Sequence, residues 1–251
     1  MRLGALLGPI PPNAPAGFLA DQARAFERAG FASVWSVQAI GRGFPITDPF
    51  VALAVAAAVT REVEIGTAVV QVPLYRPADL AHRVLSLMQV CGNRLRLGVG
   101  AGSTHDDFEA FGRDYSARFR DLDTSLAVLR RFFVDGRDGV VDLSPWPAVR
   151  GGPPLLLGAW GGPGVERAAQ QFDGWIASAA KRTPDAVIGA LERFRSAGGK
   201  RALVSTIQIG AGADLGELKE RLARFAAAGF DDAVVMLMPG GPTPDVVRRL
   251  L

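Results

Sequence analysis

The chain has a single cysteine, Cys91, which excludes an internal disulfide and a cysteine-built zinc site. Cys91 closes an apolar helical pattern and reads as core filler. Histidine is nearly as scarce. Only His82 and His105 occur, and one histidine beside the acids of 106–109 lacks the usual spacing of metal ligands, so no metal is expected. Lysine offers no amine at a strand end for covalent catalysis: Lys181 and Lys200 fall in or beside loops, and Lys219 falls on a helix. No apolar run approaches the roughly 18 residues of a membrane span, and the opening MRLGALLGPIPP lacks the long apolar core of a secretory leader. A cytoplasmic protein with no membrane partner is therefore expected. A block of one charge sign is lacking too. The net charge is +3 and the arginines scatter over helices, which suggests no nucleic-acid surface but suits a small anionic ligand.

What the chain does have is apolar bulk and repetition. At 251 residues and 49% hydrophobic it can build one large core, and residues 1–251 read as a single domain. Three segments share one joint: AFERAGF from Ala25, RFRSAGG from Arg193 and RFAAAGF from Arg224. Each reads as a helix ending on Phe-x-x-Ala-Gly, with Gly30, Gly198 or Gly229 as a left-handed cap before an apolar run. Eight such runs, from Arg2–Leu7 to Ala233–Leu237, alternate with eight helical patterns, from Gly17–Ala29 to Pro244–Leu251. The runs are nearly continuous Val, Ile, Leu and Ala, as parallel strands covered on both faces should be. The expected fold is a (β/α)8 barrel, with an open doubly wound sheet as the alternative. Residues 135–152 read as an irregular insertion before the fifth strand.

Chemistry in such a barrel gathers at the C-terminal ends of the strands. After the fifth run comes GAWGGPG, Gly158 to Gly164, opening directly into a helix. Its N–H groups could cradle a phosphate, although an ordinary tight turn fits a glycine cluster equally well. After the fourth run comes GVGAGSTHDDF, a second glycine-rich opening followed by His105. Ser103, Thr104 and the adjacent acids read most simply as caps of a short helix. Phe108 and Phe111 read as rim packing, Phe119 as an apolar helix position, and Trp146 or Trp160 as core or pocket wall.

In AFERAGFASVW, in Asp48 to Ala81, in GNRLRLGVGAGSTHDDFEAFGRDYSARFRDLD and in PPLLLGAWGGPGVERAAQQFDGW, the chain resembles the bacterial luciferase-like monooxygenases and their FMN- and coenzyme F420-dependent relatives. The resemblance implies a (β/α)8 barrel with FMN or F420 across its C-terminal mouth, acting on a small organic substrate. It also points to a homodimer, since relatives often dimerise. Carried over by position, it implies a non-prolyl cis peptide between Ala68 and Val69 under the ring, and Gln38, Gly100, Ala101 and Gly102 around it. Ala159, Trp160, Gly161 and Gly162 would form the phosphate-binding turn. Several F420-dependent relatives carry a histidine where this chain has Gln38 or Ala39, and some carry a glutamate where it has Ala101. Neither replacement transfers protons, which leaves His105 as the candidate catalytic proton donor. A non-catalytic flavin-binding barrel and a sugar-phosphate isomerase or aldolase are the competing readings.

Overall fold

The computed structural model describes residues 1–40, 46–180 and 182–251, so Lys181 lies outside the described residues. Each of the three Phe-x-x-Ala-Gly joints closes as its residues dictate. Gly30, Gly198 and Gly229 have φ of 83°, 88° and 99°. The N–H one residue further on reaches back to the carbonyl of Phe26, Phe194 or Phe225, at 3.1, 3.0 and 3.1 Å. That six-to-one bond satisfies a helix-end carbonyl, while the three phenylalanines, each at most 1% exposed, anchor the helices to the sheet.

The strands are β1 (Arg2–Leu6), β2 (Ser33–Ser36), β3 (Glu64–Thr67, resumed as Val70–Gln71), β4 (Leu95–Gly100), β5 (Leu155–Gly158), β6 (Gly174–Ser178), β7 (Arg201–Ile209) and β8 (Asp232–Leu237). Between and after them run α1 (Phe18–Arg28), α2 (Pro49–Val59), α3 (Pro77–Cys91), α4 (Arg118–Val134), α5 (Gly162–Gln171), α6 (Pro184–Ser196), α7 (Leu215–Ala228) and α8 (Pro244–Arg248). Every pairing in this sheet is parallel. β1 lies against β8, Arg2 opposite Asp232, and β3 lies against β4, Ile65 opposite Leu95, so the sheet closes on itself as a (β/α)8 barrel rather than an open sheet. Residues 135–152 hold a small hairpin, Arg137–Asp138 against Val141–Asp142, as the irregular composition suggests. Phe119 departs from expectation: it is 60% exposed, with the Arg118 guanidinium 4.4 Å from its ring, because the core-facing stripe of α4 begins at Leu122. No helix among the described residues is long and apolar enough to cross a membrane.

Side chains inside the barrel form a cluster of their own, among them Leu6, Trp35, Leu156, Ile176, Leu203 and Val234. Trp35 is the largest and is fully buried, its indole N–H donating to Ser33 Oγ at 2.7 Å. Its neighbours give way to it. A Cβ on Gly66 would fall 2.3 Å from the indole ring, and one on Gly4 would fall 2.3 Å from Ser33 Oγ.

The floor of the barrel is ionic. Glu64 meets Arg201 at 2.6 Å, Arg96 at 2.8 Å and Arg2 at 3.4 Å. Asp232, almost fully buried, meets Arg2 and Arg201, each at 2.8 Å. The N-terminal ends of β1, β3, β4, β7 and β8 are thereby joined through charge. Burial alone would raise the Glu64 pKa, but the bond to Arg201 and the charges of Arg201, Arg96 and Arg2 outweigh it and hold the carboxyl below its ordinary range.

Two outcomes follow from this packing. Gly66→Ala forces the Trp35 ring to move, so it should cost about 1–3 kcal/mol, read in thermal melts as a Tm drop of roughly 2–12 °C. Glu64→Gln leaves three guanidinium groups short of their shared carboxylate and should cost roughly 2–4 kcal/mol at pH 7 in urea titrations. Because the folded pKa lies below the unfolded one, that contribution is present above the ordinary carboxylate value of about 4.3 and fades as pH falls through the lowered value. The gap between wild type and variant should therefore narrow in melts below about pH 4.

Candidate functional site at the barrel mouth

At the C-terminal end, β3 breaks after Thr67, whose hydroxyl is fixed on the Gly98 carbonyl at 2.7 Å. The following Ala68–Val69 peptide is cis, as the resemblance implies. Ala68 N–H donates to the Ser36 carbonyl at 2.8 Å, and Ala68 and Val69 pack against the interior cluster around Trp35. Val69 lies over two glycines. A Cβ on Gly100 would come 2.9 Å from one Val69 methyl, and one on Gly158 would come 2.8 Å from the other. Gly100 is thus required by this chain's own valine. The same holds for Gly102, where a Cβ would fall 2.5 Å from Gln71 Oε1 and 2.7 Å from the Phe108 ring. Ala101 between them is buried.

The turn after β5 is more open. Gly161 caps α5 with φ 80° and no atom stands where its Cβ would be, while the helix has no side-chain cap. Pro163 carries no N–H, so Gly162 and Gly164 present the first free donors at the positive end of α5. Arg193 of α6 lays its guanidinium over Gly162, with Nη1 2.7 Å from the Cβ position, and its ionic partner is Glu166 at 3.7 Å. Two positive groups thus face each other across the turn. Trp160 stands edge-on to Trp175 at 6.1 Å and under the Arg182 guanidinium at 4.4 Å. The Ala159 carbonyl accepts from the Trp175 indole at 2.9 Å.

Gln38 lies at the opposite side of the strand ends, 8% exposed, in a network that the sequence did not reveal. Its Oε1 accepts from Gln71 N–H at 2.7 Å and its Nε2 donates to Tyr75 Oη at 2.8 Å. Gln71 Nε2 donates to Asp107 Oδ2 at 2.7 Å, and Ile40 N–H donates to Asp107 Oδ1 at 3.0 Å. Asp107 is fully buried, so it is a tie between the ends of β2 and β3 and the short helix His105–Glu109, not the solvated capping acid its sequence context suggests. Thr104 stands at the N-cap without a side-chain bond, so the capping role that the sequence suggests for it is not made, and in the preceding loop Tyr115 Oη donates to the Ser103 carbonyl at 3.2 Å. Burial, followed by the charge of Asp48, pushes the Tyr75 pKa up to about 12. Nothing in the sequence singled out Tyr75, Gln71 or Asp107 except that tyrosine occurs only twice.

His105 lies apart from this buried network. Its side chain is 71% exposed, with Glu109 at 4.0 Å and the Tyr115 ring at 5.6 Å. Donor atoms of His105, Asp106 and Glu109 come within 4.8 Å of one another, all three residues in solvent. Phe108 is buried against Tyr115, whereas Phe111 is 47% exposed and Trp146 is 64% exposed, so neither of these two packs as the sequence suggests. His82 is exposed on α3, and Cys91 is buried, with its thiol pKa raised by that burial. A cleft opens at the ends of β1, β2 and β8, lined by Leu7, Pro9, Ile10, Leu19, Val37, Ala52 and Met236, with Ser36 and Thr47 as its polar side chains. Val37 and Met236 belong also to the layer that carries Ala68 and Val69, so cleft and strand break are contiguous.

Residues 4–236 match the sequence pattern of the family described as luciferase-like monooxygenase. A stretch of 152 residues is 30% identical to 4-hydroxyprotoasukamycin monooxygenase of Streptomyces nodosus subsp. asukaensis, covering 58% of this chain and 41% of that protein. The chain spans 41 to 57% of the length of the first curated relatives it matches. In three dimensions it resembles the monooxygenase RslO1 from Streptomyces bottropensis, with TM-score 0.82, 19% identity and coverage of 100% and 96% of the two chains. It also resembles an F420-dependent secondary alcohol dehydrogenase solved with an F420-acetone adduct, with TM-score 0.80, 16% identity and coverage of 100% and 98%. At these identities the structural likeness establishes the fold.

Replacing Asp107 tests the tie. Asp107→Ala deprives Ile40 N–H and Gln71 Nε2 of their shared acceptor and should cost about 2–4 kcal/mol, whereas the exposed neighbour change Asp106→Ala should stay within about 0.5 kcal/mol. Urea denaturation of the two variants side by side gives the comparison.

Proposed function

The chain belongs to the luciferase-like monooxygenase family, and from that premise we propose that it is an oxidoreductase holding coenzyme F420 or FMN across the barrel mouth and acting on a small uncharged substrate. The observation that carries this reading is the pairing of two surfaces on one rim. Ala68–Val69 offers an apolar step seated on Gly100 and Gly158, and the uncapped α5 terminus offers donors at Gly162 and Gly164. A planar ring with an anionic tail is the ligand that such a pair fits, because the step is flat and apolar while the turn is positive.

When bound, the cofactor supplies hydride transfer or oxygen activation. The chain's own residues hold it and keep water out. Val69 and Ala68 support the ring, with Ala101 beside them. Gly161 gives the phosphate close approach to the backbone, Gly162 offers its N–H with Arg193 alongside to answer the charge, and Ala159 and Trp160 wall the turn. Arg182 and Arg193 together favour F420, whose tail is polyanionic. The substrate would sit beside the ring at the mouth, where the cleft between β1, β2 and β8 adjoins it.

Fluorescence titration of the purified protein with oxidised F420 and with oxidised FMN tests the reading, the expected outcome being saturable quenching with F420 binding more tightly. Gly162→Asp places a carboxylate where the anion belongs and against Arg193, and should weaken binding about 5- to 30-fold, equivalent to roughly 1–2 kcal/mol. Absence of saturable binding by either cofactor would overturn the proposal.

A further inference from the structure

Strand β7 breaks its own alternation. Leu203 packs inside the barrel with Ile176 and Val234, whereas Val204 and Ile207 belong to the core between sheet and helices. Two consecutive residues, Ser205 and Thr206, thus stand where a regular strand has one. The ladder slips at the same place: Val204 pairs with Ala233 and Ile207 with Val235, so both residues oppose Val234 alone. This is a β-bulge, the irregularity that re-aims side chains at the rim of a barrel. Alternation from Leu203 turns Ser205 into the barrel, and the Thr206 hydroxyl lies 3.3 Å from the Ser205 hydroxyl, so it faces the same way. The bend is made at Thr206, whose φ of 61° is left-handed. A β-branched residue there is strained, and the fold holds it against its backbone preference.

The bulge gives the mouth one polar arc. Ser205 is the register partner of Ser178 on β6, which follows two residues after the interior Ile176, and Ile176 in turn pairs with Gly158, the residue on which Val69 rests. Ser178, Ser205 and Thr206 therefore stand just above the packed interior, at the level of the Ala68–Val69 step. Elsewhere on this rim the strands present only Val37, Ala68, Val69 and Met236, or glycine at 100 and 158. Within the arc the hydroxyls are not equivalent. Ser205 is 1% exposed and spends its proton on the Ala177 carbonyl at 3.3 Å. Thr206 is partly exposed, so its oxygen accepts from the open side or its proton turns there from Ser205. Ser178 Oγ accepts from Ala180 N–H at 3.3 Å and keeps its own proton to donate. We propose that Thr206, with Ser178 beside it, is the specificity-determining residue that binds the oxygen of a neutral alcohol or carbonyl substrate. An apolar pocket with one convergent polar group orients its ligand by that group. The proposal rests on the cofactor reading above and names the substrate class of the same site.

Two variants separate this role from packing, because they act in opposite senses. Thr206→Val keeps the shape and removes the hydroxyl, while Thr206→Ser keeps the hydroxyl and removes the methyl group. The protein loaded with whichever oxidised cofactor it binds is titrated with a panel of short linear and cyclic alcohols and ketones, from isopropanol to cyclohexanone, and binding is followed by the absorption band of the cofactor. For the probe that the wild type binds most tightly, Thr206→Val should lose affinity about three- to tenfold, the scale of one net hydrogen bond, and Thr206→Ser should keep it. Affinity for the cofactor itself should be unchanged in both. A packing role predicts the reverse order, with the serine variant the weaker. A further readout uses the wild type alone: with threonine methyl groups labelled, the resonance that disappears in Thr206→Ser should move when the loaded protein is saturated with that probe. Wild-type probe affinity in folded Thr206→Val, weakened cofactor binding by that variant, an unmoved Thr206 resonance, or saturable binding of none of the panel would overturn this inference alone. Failure of the wild type to bind either cofactor would instead overturn the reading on which it rests.

Discussion

The volume inside a closed ring of eight short strands is fixed by the ring, and in this protein Trp35 takes the largest share of it. The rest of the interior is arranged around that indole. Gly66 and Gly4 surrender their side-chain positions to it or to Ser33, and above it Ala68 and Val69 complete the stack. Below, the ring is drawn together by Glu64 and Asp232 among three arginines, a pairing that replaces lost hydration with charge at close range. The proposed ligand seat falls to the upper layer because the lower ones are full. The cis step at Ala68–Val69 is accordingly both the lid of the packed interior and the proposed seat of the ligand.

Those layers explain why the chain spends so many glycines on one rim. Read as a string, Gly100, Gly102 and Gly162 suggest open space for a cofactor. In the folded molecule Val69, Gln71 with Phe108, and Arg193 each occupy the space beside one of them. Their neighbour Gly161, by contrast, combines a left-handed backbone with open surroundings. A missing side chain marks close approach without saying by what, and only the fold identifies the neighbour.

The barrel itself was legible because its signals are local. The helix caps at Gly30, Gly198 and Gly229, the continuous apolar strands and the alternation of elements all lie within windows of about a dozen residues. Of the candidate site, resemblance carried the reading to the strand ends, the GAWGGPG turn and the cis step, and the last of these is present between Ala68 and Val69. The array of Gln38, Ile40, Gln71, Tyr75 and Asp107 joins residues 33 to 67 positions apart, and no local pattern distinguishes Asp107 from its solvent-facing neighbour Asp106. The arginine-rich floor escaped for the same reason, since Arg2 and Asp232 stand at opposite ends of the chain. Phe119, Phe111 and Trp146 were misleading because hydrophobic identity does not by itself decide which way a helix face or loop turns.

The pairing of β1 with β8 also sets a clock during synthesis. Arg2 to Ala5 find their second neighbour only in Asp232 to Val235, about 230 residues downstream. At a ribosomal pace of about 5–20 residues per second, β1 waits roughly 12 to 46 seconds before that partner is made. Until then the nascent sheet has two raw edges, and its floor holds Arg2 without Asp232. The last strand therefore does more than extend the sheet: its arrival removes both edges and brings the floor's second carboxylate against Arg2 and Arg201 in one event, leaving a half-made chain dependent on whatever shields exposed strands in the meantime.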